Sequence, residues 1–218
     1  MRRGFWRIGL GVTMLGVIGG LALGVSTARS ELVINEFLAN PGRDWDGDGV
    51  LDSRDDEWVE VYNPGPDTVN LTVYWLRDGL NEDPNLNLFG ELGPQQIAVF
   101  YGSHAAAWQQ EHGGGAAGLS LNNGGDTVVL MKTDPADPLA LLMVDSFQYT
   151  AHVGALDRAC GRLPDGDDWT LFDGLNPYAG ELFPQGNGCE PTPGENNVCG
   201  GNTPLEAHRW SEVKTHWQ

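Results

Sequence analysis

The stretch DDEWVEVYN, residues 55–63, changes character in its middle. Asp55, Asp56 and Glu57 close an acidic loop, and Trp58-Val59-Glu60-Val61-Tyr62 then alternates with the period-two pattern of a β-strand until Asn63-Pro64-Gly65-Pro66 stops it. Working outward, the chain offers further short β-type runs separated by turn chemistry. Upstream lies Leu32–Leu38, ending at Asn40-Pro41-Gly42. Downstream come Val69–Leu76, closed by Asp78-Gly79, then Ile97–Tyr101, and Thr127–Met131 after Asn122-Asn123-Gly124-Gly125-Asp126. Leu141–Tyr149 and Trp169–Phe172 complete the set. About seven short strands in succession argue for an all-β fold, an antiparallel β-sandwich. Helix is scarce. Ser103–Glu111 has room for two turns, with Ser103 as N-cap and Gly113-Gly114-Gly115 as terminator. Thr203-Pro204-Leu205-Glu206 reads as a capping box with Pro at the first helical position, opening a helix through Trp210 and Val213.

The 218 residues hold 31 Gly and 13 Pro, which suits strands joined by turns better than a helical bundle. Residues 1–30 read as an export signal. Arg2, Arg3 and Arg7 precede an apolar run from Ile8 to Val25, and Ala28-Arg29-Ser30 offers a small-x-small cleavage site. General secretion, the twin-arginine route and an uncleaved membrane anchor all fit that segment. Residues 31–199 then form one β-sandwich domain, and 200–218 a tail with a short helix. Removing residues 1–30 removes four arginines and no acids, leaving 8 basic against 30 acidic residues and a net charge near −22. Such a field disfavours nucleic acid and favours divalent cations.

The most specific chemical pattern lies just upstream of the opening strand. A calcium loop needs oxygen ligands at alternate positions, a glycine at the sharp turn, one carbonyl and a distal carboxylate. Asp44, Asp46 and Asp48 fill the first three ligand positions and Gly49 the turn. Val50 supplies the carbonyl, Asp52 and Asp55 the later ligands. Asp at the last position reaches less far than Glu, which brings Asp56 and Glu57 in as substitutes. Hard oxygens select Ca²⁺ over zinc or copper, and the expected role is structural, ordering a long connection between two strands. The competing reading is a solvated acidic turn. The spacing resembles the Asp-rich loops of dockerins and thrombospondin type 3 repeats.

The ordered runs also resemble the lamin-tail domain family. The resemblance rests on Val33-Ile34-Asn35-Glu36-Phe37, Asp56–Asn63, Gly118–Val128, Val144-Asp145-Ser146-Phe147, Gly161–Gly166 and Pro191-Thr192-Pro193-Gly194. It implies an immunoglobulin-like sandwich, found in nuclear lamin tails and in many exported bacterial proteins, often beside secreted hydrolase domains. It implies no catalytic residues. One departure concerns the third strand: where the family carries Gly-Trp, this chain has Val73-Tyr74, followed by Trp75. Tyr74 then takes the core position, and Trp75 faces solvent or another surface.

Cys189 and Cys199 bracket a Pro/Gly-rich loop and are the favoured disulfide, with Cys160–Cys189 as the competitor; Cys160 itself is expected to be disulfide-bonded rather than reactive. Trp75, Trp108 and Tyr149, if they share a face, would form a platform for a sugar or a protein partner. The five histidines show no zinc-hydrolase spacing, and Ser103 and Ser120 lack a nucleophile-elbow context. Glu111, Asp145 and Glu181 show no glycosidase spacing, and Asp165-Gly166-Asp167-Asp168 reads as a plain turn. Asn70-Leu71-Thr72 matches the N-glycosylation sequon. The expected function is that of an exported, non-enzymatic, calcium-binding interaction or adhesion module with an extracellular protein or glycan as partner. A carbohydrate-binding module and an accessory domain of a secreted hydrolase system are the alternatives. Membrane contact is expected only through the N-terminal segment.

Overall fold

The first strand, Val33–Leu38 (β1), is buried along its whole length, so it must be covered on both faces. The computed structural model, which describes residues 31–80 and 83–199, shows how. The expected export segment and the expected helix from Thr203 lie outside the described residues. β1 sits inside a five-stranded antiparallel sheet with β2 (Trp58–Tyr62), β7 (Ile97–Tyr101), β10 (Ala159–Arg162) and β11 (Trp169–Phe172), in the order β11-β10-β1-β2-β7. A second sheet runs β5-β4-β8-β9, from β4 (Tyr74–Asp78), β5 (Leu86–Asn87), β8 (Gly125–Asp134) and β9 (Asp137–Thr150). The short strands β3 (Val69–Asn70) and β6 (Glu91–Leu92) pair separately. The result is the all-β, immunoglobulin-like antiparallel sandwich that the strand pattern and the resemblance imply.

Between the sheets lies a core that includes Ile34, Phe37, Val59, Val61, Tyr74, Leu76, Val128 and Leu130. Phe37 is its hub, with ring centroids of Tyr149, Phe147 and Trp169 at 5.1, 6.0 and 6.1 Å. Ile34 and Phe37 point to the same core although three residues apart, because the β1–β2 register slips between Ile34 and Glu36. That bulge adds a residue to β1, so Asn35 and Glu36 are both free to turn outward. On the other face of this sheet Leu38, Trp58, Ala159 and Phe172 form a second cluster. The chain after β11 covers this face, together with Trp45 from the acidic loop.

The two sheets are also joined by charge. Arg162 on β10 reaches Asp145 on β9 at 3.0 Å, and Asp145 accepts the Ile34 N–H at 3.1 Å. The same guanidinium donates to the Ile34 carbonyl at 2.9 Å and lies over the Trp169 ring at 4.4 Å. Asp145 is thus a structural clamp, unavailable as a catalytic acid.

Several elements differ from the sequence reading. The expected strand Val69–Leu76 is broken by a 3₁₀ turn, Leu71–Val73, because Asn70 Oδ1 accepts the N–H and hydroxyl of Thr72 at 3.0 and 2.8 Å. The helix α1 spans Gly102–Glu111, so Tyr101 rather than Ser103 is the N-cap residue. Its own N–H donates to His104 Nδ1 at 3.2 Å. Gly102 opens the helix because a Cβ there would collide with the Arg54 carbonyl. β5 and β6 hold two residues each, too short to leave a period.

Truncating Phe37 to Ala removes the hub of the core and is expected to lower stability by about 3–5 kcal/mol in urea unfolding. Leu139→Ser, at a side chain 96% exposed, is expected to change it by about 0.5 kcal/mol or less.

Candidate functional site

The acidic loop is organised by a residue that the sequence analysis offered only as a substitute metal ligand. Asp56 Oδ1 accepts the N–H groups of Trp45 and Asp46 at 2.6 and 3.1 Å, and Oδ2 that of Asp52 at 2.7 Å. One carboxylate at the mouth of β2 therefore gathers both limbs of the loop. Trp45 completes the anchor: its ring meets Trp58 at 6.2 Å, its Nε1–H donates to Asp157 at 3.2 Å, and Arg43 lies over its face at 5.5 Å. At its far end the loop is tied to α1, where the Ser103 N–H donates to the Asp55 carbonyl at 3.0 Å.

Within that frame Asp44, Asp46 and Asp48 bring one carboxylate oxygen each within 4.8 Å of the others. The turns that converge them use Gly47 and Gly49 at φ of 80° and 93°, left-handed backbone that glycine adopts without strain. Asp44 accepts the N–H groups of both glycines at 2.8 Å, and Asp48 that of Val50 at 2.7 Å. Asp52 and Asp55 stand outside this trio. Asp52 Oδ1 accepts the N–H groups of Arg54 and Asp55 at 2.8 and 3.2 Å, and these bonds hold its carboxyl below the usual range. Asp55 is pushed up, first by partial burial and then by the fields of Asp52, Asp46, Asp48 and Asp56. The donor set is hard oxygen throughout, which suits calcium or magnesium.

Beside the loop opens a shallow cleft of about 410 Å³, lined by Ser53, Arg54, Glu57, Ser120, Asn122 and Asn123 among others. Glu57 is buried there and accepts the Leu121 N–H at 3.1 Å; burial pushes its carboxyl up to about 8.

The structure brings together two of the three expected platform residues. Trp75 and Trp108 meet edge to face at 6.0 Å. Tyr149 does not join them: it is 3% exposed and packs on Phe37, because its alternate position on β9 faces the core. Neither tryptophan is a free stacking surface. His112 stacks on Trp108 at 4.5 Å, and the Trp75 Nε1–H donates to Thr133 at 3.2 Å. Trp75 instead starts a row across the sheet, facing Met131 on β8, which faces Met143 on β9. Met143 is 66% exposed. No spacing rule found this row, since its members lie on three separate strands.

Cys189 and Cys199 form the disulfide. Cys160 is not disulfide-bonded, contrary to expectation, because β10 buries it between its neighbours. Burial and then the Glu36 carboxyl push its thiol well above the usual range, against a smaller opposing effect of Arg162. Asp165 is a structural acceptor for Asn35 and Asn197 at 2.9 and 2.8 Å.

A family model described as the lamin tail domain matches residues 25–151. No curated protein and no solved structure matches the chain.

Replacing Asp56 by Ala leaves three N–H groups without their acceptor. It is expected to cost about 1–3 kcal/mol and to raise amide exchange across residues 45–52 while β8 and β9 stay protected.

Proposed function

The chain belongs to the lamin tail domain family, and we propose that it serves as an exported, non-enzymatic interaction module whose Asp44–Asp55 loop holds a structural calcium ion. The observation that carries the interaction role is the row Trp75–Met131–Met143, flanked by Trp108, on the outward face of the β5-β4-β8-β9 sheet. Met131 lies beneath the row at 8% exposed and Met143 stands out at 66%; an exposed thioether beside indoles suits an apolar patch on a protein partner, with Met143 adapting to its shape. A sugar would need an open aromatic face, and His112 covers one face of Trp108. That favours a protein over the glycan alternative. The strongly acidic surface favours basic groups around the rim of such a contact. Export is supported by residues 1–30 as read from the sequence and by a disulfide, which persists best in oxidising surroundings.

Calcium fits the loop for two reasons. Three carboxylates already converge within 4.8 Å of one another, and like charges at that spacing are relieved by a divalent ion. Asp44, Asp46 and Asp48 would hold it. The ion would then brace the connection from β1 to β2, remote in the chain from the Trp75–Met143 row, and act as a brace rather than a reaction centre.

Melting followed with Ca²⁺ and with chelator tests this. A hundredfold excess over Kd is expected to stabilise the wild type by about 2.7 kcal/mol, and Asp48→Asn to lose most of that gain; identical melting in both buffers removes calcium from the proposal. For the interaction face, Met143→Lys is expected to leave folding intact and abolish capture of the extracellular partner. Glycan-array binding lost in Trp75→Ala or Trp108→Ala would replace the protein reading with the carbohydrate one.

A further inference from the structure

The outer face of the five-stranded sheet carries a feature unrelated to the acidic loop. Glu36 on β1 and Glu60 on β2 are direct cross-strand partners, so their side chains leave the same face side by side. Both are fully buried, covered by the segment Glu190–Cys199. That segment has little apolar grip: among its residues only Pro191 and Asn197 are buried. It is held mainly by hydrogen bonds to acids. Thr192 Oγ1 donates to Glu36 at 2.8 Å and its N–H approaches the same carboxyl at 3.3 Å. The Gly194 N–H donates to Glu60 at 2.8 Å, and Asn196 Nδ2 and the Asn197 N–H donate to Asp165 at 2.6 and 2.8 Å.

The groups facing the pair do not neutralise it. Asp165, from the loop after β10, adds a third carboxyl that raises both glutamates. Tyr101 contributes a phenol from β7, and Cys160, in the core on the opposite side of the sheet, adds no cation. Arg162, the cation of β10, commits its guanidinium to Asp145 and to the Ile34 and Asp167 carbonyls. Asn35 donates to Glu60 at 2.8 Å, a neutral contact. Two carboxyls side by side in a dry site cannot both ionise without strong repulsion.

We propose that the segment Glu190–Cys199 is a pH-operated latch, closed while the Glu36–Glu60 pair keeps a proton and released when the pair loses it. Burial pushes Glu60 up to about 7 and Glu36 well above the ordinary carboxylate range. These are acids raised on folding, so their contribution to closure is complete below the ordinary glutamate pKa and is lost as pH rises through about 7. The Cys189–Cys199 disulfide brackets the segment, so the latch opens as a closed ring and uncovers Asn35, Glu36 and Glu60 without freeing a long tail.

Hydrogen exchange of residues 190–199 in the full chain between about pH 4 and 8, corrected for the intrinsic pH dependence of exchange, tests this. Protection of Thr192, Gly194 and Asn197 is expected to fall by up to about tenfold per pH unit as pH rises from the ordinary glutamate range to about 7, while β8 and β9 stay protected. Glu36→Gln, which removes one charge and keeps an acceptor for Thr192, is expected to flatten that dependence. Carboxyl-carbon NMR of the wild type provides a readout independent of the variant's folding, with both carboxyls of the pair expected to titrate well above the ordinary glutamate range. Uniform loss of protection across the molecule, protection that ignores pH, or both glutamates titrating in the ordinary carboxylate range would each overturn the latch.

Discussion

β1 has no face turned to water, and most of the molecule follows from covering it. The bulge between Ile34 and Glu36 turns Ile34 and Phe37 into the sandwich and leaves Asn35 and Glu36 on the opposite face. An ordinary sandwich strand alternates core against solvent. Here the second face must also be dry, and the chain beyond β11 supplies the cover. The core is therefore built on both sides of one sheet, with Phe37 at the centre of one side and Trp58 at the centre of the other.

Burying a polar face requires that every group on it find a partner. Asn35 satisfies this with both ends of its amide, donating to Glu60 and Asp165 and accepting from Gly166. Arg162 does the same for the sandwich edge, serving Asp145, Ile34 and Asp167 at once. The acids of this protein thus fall into two physical classes. Asp44, Asp46 and Asp48 crowd an exposed turn, whereas Glu36, Glu60, Asp145 and Asp165 bind the fold to itself.

What could be read in the chain beforehand divides along the same line. Trp58–Tyr62, Ile97–Tyr101 and Trp169–Phe172 were legible residue for residue, because local alternation and turn chemistry bound them on both sides. Asp56 was legible as part of the acidic loop but not as its anchor: nothing local distinguishes an acid that binds a cation from one that gathers N–H groups ten residues earlier. Trp75 with Trp108 was recoverable as a pair, but Tyr149 was misplaced because exposure depends on which face of β9 turns inward. Met131 and Met143 were invisible as partners, since their contact is created by strand pairing. The Glu36–Glu60 pair was hidden for the same reason, with the bulge at Asn35 as a second obstacle to predicting its face.

The contact between β1 and the closing segment also has a mechanical meaning. Glu36 meets Thr192 and Asn35 meets Asn197, so the closing segment is pinned to the middle of β1. A pull on the closing segment would meet these polar contacts one at a time, before any load reached the packed layers between the sheets.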